Sequence, residues 1–116
     1  MLYSKRMSAG RRWTVQDRDG REIYLTQERW EHIVDPDNHP EMIGSEMQLQ
    51  ETIRSGARQQ DPLNPLKYRY EKAFNDLAEE NTHLVAIVLF RFGAHEETGT
   101  LQPSNYIVTA YQKAIG

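Results

Sequence analysis

The sequence predicts an α+β domain, with an N-terminal β-hairpin and two helices packed on an antiparallel β-sheet. Three observations carry this reading. The stretch Leu84 to Phe90 is the longest unbroken apolar run in the chain and is rich in β-branched residues. Both of its alternating faces are apolar, as in a central strand covered on both sides. A second strand, Tyr106 to Tyr111, follows across a connector, Gly93 to Ser104, that carries glycine and proline. A long-looped antiparallel hairpin is the simplest pairing of the two. The helix signals cluster early, between Thr26 and Gly56, so the helices should lie together on one face of the sheet.

Residues 1–12 are expected to be a flexible leader, because Met1 to Gly10 shows little periodicity. The remainder, 13–116, reads as a single domain. Trp13-Thr14-Val15-Gln16-Asp17 and Glu22-Ile23-Tyr24-Leu25 flank Arg18-Asp19-Gly20-Arg21, and an Asp-Gly pair between short alternating runs signals a hairpin. Thr26 then suits the N-cap of a helix from Gln27 to about Asp35. Leu25 and Trp30 are spaced as a hydrophobic staple, and Trp30, Ile33 and Val34 share the stripe that should face the sheet. Glu28, Arg29 and His32 lie roughly opposite it.

Pro36, Asn38 and Pro40 break the chain into a turn. A second helix begins at Ser45, which forms a capping-box pattern with Gln48, and Gly56 is its expected stop. Met47, Leu49, Gln50 and Ile53 give it a moderate apolar stripe. A short extra strand fits Ala57 to Gln60. Asp61-Pro62-Leu63-Asn64-Pro65 is rich in turn formers. From Lys67 to Lys72 aromatic and charged residues alternate, with Tyr68 and Tyr70 on one face and Lys67, Arg69 and Glu71 on the other, as in a half-buried strand. Asp76 to Thr82 is polar and turns the chain into the central strand.

Composition narrows the functional classes. The chain has 116 residues and no cysteine, which allows one sizeable core and excludes disulfides and thiolate metal sites. No signal-peptide pattern or transmembrane run is present, so a cytoplasmic protein without a membrane partner is expected. The net charge of −3 argues against a general polyanion binder. Charge is unevenly spread, however: residues 1–26 and 52–75 each carry +3, and 27–51 carry −6, so local basic patches can meet phosphate. No phosphate-binding glycine loop, flanked serine nucleophile or His-Glu-x-x-His pair occurs. The four histidines have no helical metal-ligand spacing, and neither metal nor cofactor is expected.

The remaining polar residues suit metal-free cleavage of RNA. That reaction needs a base for the ribose 2′-hydroxyl, an acid for the leaving 5′-oxygen and a cation against the charge gathering on phosphorus. His32 can serve as base or acid, with Glu28 one turn earlier to orient it. Arg29, Arg69 or Arg91 can supply the cation. Tyr68, Tyr70, Thr109 and Tyr111 offer hydroxyls or stacking faces. Each group also has a plainer reading. Glu28, Arg29 and His32 make an ordinary solvated helix face, the tyrosines make ordinary sheet cover, and His39 before Pro40 is a turn residue.

Several segments in order carry a family resemblance. Ile23 to Ile33 (IYLTQERWEHI) is followed by His39-Pro40-Glu41-Met42, Glu51-Thr52-Ile53, Tyr68-Arg69-Tyr70, the apolar strand, and Tyr106 to Tyr111 (YIVTAY). The set resembles the phage-associated barnase–EndoU–colicin–RelE-like (BECR) families and spans nearly the whole chain from Ile23 onward. The resemblance implies early helices on a curved antiparallel sheet. It also implies a metal-independent endoribonuclease, often the toxin of a toxin–antitoxin or phage-derived system. On this chain the catalytic set would be His32, Arg69, Thr109 and Tyr111. Glu28, Arg29, Tyr68, Tyr70 and Arg91 are then expected to contact substrate. The partners would be RNA and an antitoxin or other protein, with the chain a monomer or homodimer. The alternative is an inactive binding module of the same fold, engaging a protein or RNA. The acidic balance and the lack of any high-specificity motif favour that alternative, and Glu96 and Glu97 in the long connector depart from the family in that they would repel RNA if near the site. An edge strand at Trp13–Asp17 or Tyr68–Glu71 would also allow self-association.

Overall fold

The structure, a computed structural model, describes residues 7–115. Its elements are β1 (Met7–Gln16), β2 (Glu22–Thr26), α1 (Gln27–Val34), a 3-10 turn (Pro40–Met42), α2 (Glu46–Ser55), β3 (Ala57–Gln60), β4 (Lys67–Ala73), β5 (His83–Leu89), β6 (Phe92–Ala94), β7 (Leu101–Pro103) and β8 (Asn105–Lys113). The α+β class is as the sequence predicts. Six strands form one sheet in the order β1-β2-β8-β5-β4-β3, and β6 and β7 form a separate hairpin.

The apolar run is the central strand β5, antiparallel to both β8 and β4. The β1–β2 hairpin forms as expected, with Gly20 at φ 82° in the turn, a conformation glycine adopts at little cost. The strand expected at Ala57 to Gln60 is β3, antiparallel to β4 and exposed along its length. It makes β4 an interior strand, so only the Trp13–Asp17 candidate for edge pairing remains an edge.

Expectations about strand direction, the connector and the leader need correction. The sheet is mixed, because β2 runs parallel to β8 at Ile23↔Asn105 and Tyr24↔Tyr106. The Gly93–Ser104 connector is not all loop, because it contains most of the β6–β7 hairpin. The leader expected over 1–12 lies outside the described residues for 1–6, and its remainder is the start of β1. Arg12 explains why the chain is held there. Its guanidinium pairs with Glu46 of α2 and donates to Gln27 Oε1 at 2.8 Å, while Trp13 Nε1 donates to Glu46 at 2.7 Å.

Thr26 caps α1 as predicted, with its hydroxyl accepting the Arg29 N–H at 3.0 Å. Trp30 and Ile33 are buried and Val34 is half-buried. Ser45 is the N-cap residue of α2 but forms no capping bond, because its hydroxyl instead accepts Gln112 Nε2 at 2.8 Å and Gln48 reaches Asp76. Met47 faces solvent, and Leu49, Thr52 and Ile53 form the buried face of α2. Gly56 ends α2 with extended backbone (φ −71°, ψ 162°) rather than a left-handed turn.

Cross-strand partners share a face, so the register divides the sheet into two sides. Leu84, Ala86 and Val88 point toward the helices, as do their partners Tyr70, Ala110 and Ile107. With Ile23, Leu25, Ile33, Met42, Leu49 and Ile53 they form the core. The other side of β5 has no helix over it. There Val85 is buried, but Ile87 and Leu89 are only half-buried, so the expectation of cover on both sides fails. Tyr70 ends its run into the core with its hydroxyl donating to the buried Asp17 at 2.7 Å.

Candidate functional site

The open side of the sheet gathers most of the polar chemistry. Register places Arg69, Ile87 and Thr109 in one row across β4, β5 and β8. Glu71, Val85 and Tyr111 form the next row, and Ala73, His83 and Lys113 a third. Arg69 and Tyr111 line one cleft of about 440 Å³, with Gln59, Lys67 and Ile87. Arg69 also lines an adjoining cleft of about 520 Å³ with Glu71 and His83. Either is wide enough for a nucleotide-sized ligand.

A histidine approaches this face from the helical layer: His39 packs beside the Tyr111 ring, although it lines neither cleft. Beyond Tyr106 the β8 edge no longer pairs with β2, and the Pro40–Met42 turn covers it instead. Glu41 Oε2 accepts the Gln112 backbone N–H at 3.2 Å, and the Glu41 carbonyl accepts Gln112 Nε2 at 3.1 Å. With the turn pinned there, the His39 ring stands 5.6 Å from the Tyr111 ring, tilted by 32°. Glu41 Oε2 lies 3.6 Å from His39 Nδ1. At that distance the carboxylate faces Nδ1 without a hydrogen bond to it and places a negative charge beside the imidazole.

Glu71 sets the charge of the face. Its Oε1 accepts from Arg69 at 2.9 and 3.2 Å and lies 3.2 Å from Lys113 Nζ. Burial pushes this carboxyl up, but the bonds and charges of Arg69 and Lys113 outweigh it and hold it below its ordinary value. One anion therefore holds two cations on the open face of the sheet. Lys67 is near Asp61, whose bond from the Leu63 N–H, its largest influence, holds it below the ordinary range with help from the Asn64 N–H and the Lys67 charge.

The predicted catalytic residues divide. Arg69, Thr109 and Tyr111 share the open face. His32 does not. It is exposed on the side of α1 opposite Trp30 and Ile33, with Glu28 beside it. The helical stripe that buries Trp30 turns His32 away from the sheet. Arg29 lies on the same short helix, and none of Glu28, Arg29 and His32 lines an open-face cleft.

The expected substrate contacts also divide. Tyr70 is buried and its hydroxyl is taken by Asp17, so it has no free face for substrate. Burial, more than the Asp17 bond, raises its pKa. Tyr68 is half-buried on the helix side and stacks on Phe90 with centroids 4.2 Å apart, although it borders the Arg69–Tyr111 cleft. Arg91 lines a separate cleft at the end of the sheet.

Sequence reasoning missed His39, Glu71, His83 and Lys113. His-Pro-Glu carried a usable signal, since a proline beginning a 3-10 turn holds the flanking imidazole and carboxylate close together. Glu96 and Glu97 lie at the β6–β7 end, in a cleft with His95 and Arg11, and line neither open-face cleft. Among the described residues no cluster of three acidic, histidine or cysteine side chains could hold a metal ion, and no helix is long and apolar enough to cross a membrane. Comparison with family models, with curated proteins and with solved structures finds no match to this chain.

Proposed function

We propose that the chain is a small metal-independent endoribonuclease whose site is the open face of the sheet. The observation that carries this reading is His39 against Tyr111, backed by Glu41, on the face that also presents Arg69, Thr109 and Lys113. The 2′-hydroxyl oxygen of RNA would attack phosphorus while the P–O5′ bond breaks, leaving a 2′,3′-cyclic phosphate. His39 takes the 2′-hydroxyl proton. Tyr111 or His83 returns a proton to the departing 5′-oxygen, and Arg69 and Lys113 meet the charge on the phosphate oxygens. His39 takes the place that the family resemblance suggests for His32.

The test is cleavage of RNA by the purified protein in EDTA. Wild type should yield cyclic phosphate ends. Loss of a proton-transfer group should slow cleavage by about 10² to 10⁴-fold in His39→Ala, with His32→Ala near wild type. Loss in His32→Ala with His39→Ala near wild type would return the role to His32, and equal loss in both would overturn the assignment to His39 alone.

A second reading is favoured by Glu71, which already occupies both nearby cations: the same face binds RNA or a protein without cutting. RNA binding by a wild type that cleaves none of several RNAs supports it. The toxin role rests on the family resemblance. Its readout is growth arrest on expression, relieved by the product of a neighbouring gene.

A further inference from the structure

At the β6–β7 end of the sheet, a cleft of about 560 Å³ opens between the β1–β2 turn and the β6–β7 hairpin. Arg11, Arg21, Phe90, Arg91, Phe92 and Asn105 are among its lining residues. Arg21 is already paired, 2.9 Å from Asp19 and 3.7 Å from Asp17. Arg11 and Arg91 have no carboxylate partner among the described residues. Arg11 lies over the Tyr24 ring at 3.9 Å, with Nη1 3.5 Å from the Thr14 hydroxyl. Arg91 is fixed through its backbone, its N–H donating to Asn105 Oδ1 at 3.3 Å and its carbonyl accepting the Ser104 N–H at 2.7 Å, which leaves the guanidinium exposed. Beside them Phe92 is 72% exposed. Asp19, held by Arg21 and Arg58, and Glu22 are the opposing carboxylates on the wall.

We propose that this cleft is a subsite for single-stranded RNA, taking a base on Phe92 and flanking phosphates on Arg11 and Arg91. Two unneutralised guanidiniums beside an exposed ring have the chemistry of a strand-binding platform: the cations follow the backbone and the ring takes a base of any identity. The cleft is not isolated from the open face. Tyr24 and Tyr106, with ring centroids 5.9 Å apart, stand in the row between Arg91 and Thr109, and Arg11 covers Tyr24. In the other direction Glu96 and Glu97 line the neighbouring cleft and repel a polyanion. The strand is thus directed from Arg91 across the tyrosine pair toward Thr109 and Tyr111.

The subsite rests on the reading of the open face as an RNA surface, and its test is separable from catalysis. The probe is a short fluorescent 2′-O-methyl oligouridine, which has no 2′-hydroxyl and cannot be cut by the proposed chemistry. Phe92→Ala should weaken binding about tenfold, from the loss of one stacked base. The Arg11→Ala/Arg91→Ala double variant should flatten the log–log salt dependence by about 1.4, at about 0.7 per phosphate released from a single strand. Affinity and salt slope equal to wild type in both variants, with thermal melts unchanged, would overturn the subsite even if RNA is cleaved. Absence of cleavage with this binding pattern intact would overturn the catalytic reading alone.

Discussion

Tyr70 reaches from β4 to Asp17 and donates its hydroxyl to the buried carboxylate at 2.7 Å, closing the β1–β2 turn onto the far half of the sheet. Asp17 also accepts the N–H groups of Asp19 and Arg21, both at 2.9 Å, and Arg58 stands 3.8 Å away. Tyr70→Phe removes the buried hydrogen bond that, beside the Arg58 ion pairs, ties the β1–β2 turn to the β4–β3 half of the sheet. It should cost about 1–3 kcal/mol in urea unfolding, since a buried charge loses a partner.

The same carboxylate should make stability depend on acid. Burial is the largest influence on Asp17 and pushes its carboxyl up, but Tyr70 and the two N–H groups outweigh it and hold it below its ordinary value. An unfolded aspartate titrates near pH 3.9. The stabilisation is therefore complete above that pH and is lost as pH falls toward the lower folded value. Asp17→Asn should be less stable than wild type at neutral pH and lose less on acidification to about pH 3. Part of the slope should remain in the variant, because Glu46 and Glu71 are also depressed, the first chiefly by its bond from Arg12.

Gly56 should tolerate no side chain. A Cβ there would lie 2.4 Å from the Thr52 carbonyl oxygen and 2.9 Å from that of Glu71, and both are backbone atoms that cannot swing aside. Gly56→Ala should lower stability by about 1–3 kcal/mol, whereas Gly44→Ala, with nothing within 4 Å of the added carbon, should not show this loss. Equal melting temperatures for the two variants would show that the α2–β3 junction relaxes freely.

Locally encoded features were legible in the sequence. Asp19-Gly20 marks its own turn because glycine takes the left-handed conformation, Thr26 caps α1 from within the same turn, and the apolar run identifies β5. Features that depend on distant partners were not. Ser45 and Gln48 match a capping box, yet Gln112 takes the Ser45 hydroxyl from 67 positions away. His39 reads as a turn residue until Glu41 meets Gln112, 71 positions along the chain, and fixes the turn against Tyr111. His32 follows from imidazole chemistry and the family resemblance, yet the apolar stripe of α1 already places it opposite the side that meets the sheet, and the structure keeps it there. The apolar pattern of β5 likewise did not distinguish helix cover from a face shielded only by long polar side chains.

Glu71 restrains the binding face. Removing its charge in Glu71→Gln releases Arg69 and Lys113 from their shared counter-ion and should tighten binding of the uncleavable oligouridine. It should also steepen the salt dependence, since more phosphate contacts become available. Arg69→Ala should shift both quantities the other way. Unchanged affinity in Glu71→Gln would mean that the ion-paired cations do not meet the backbone of the strand.

Tyr111 can act through its ring or its hydroxyl, and a single substitution separates the two. Tyr111→Phe keeps the aromatic surface against His39 but removes the proton. If the hydroxyl serves the leaving oxygen, cleavage should fall by about 10²-fold or more with substrate KM little changed. If the ring only braces His39, Tyr111→Phe should keep wild-type turnover, and Tyr111→Ala should be the damaging change because it leaves the imidazole without its neighbour. The proton for the departing oxygen would then come from His83, and His83→Ala should reproduce the loss expected of the hydroxyl. Both variants fully active would remove this part of the face from the catalytic proposal.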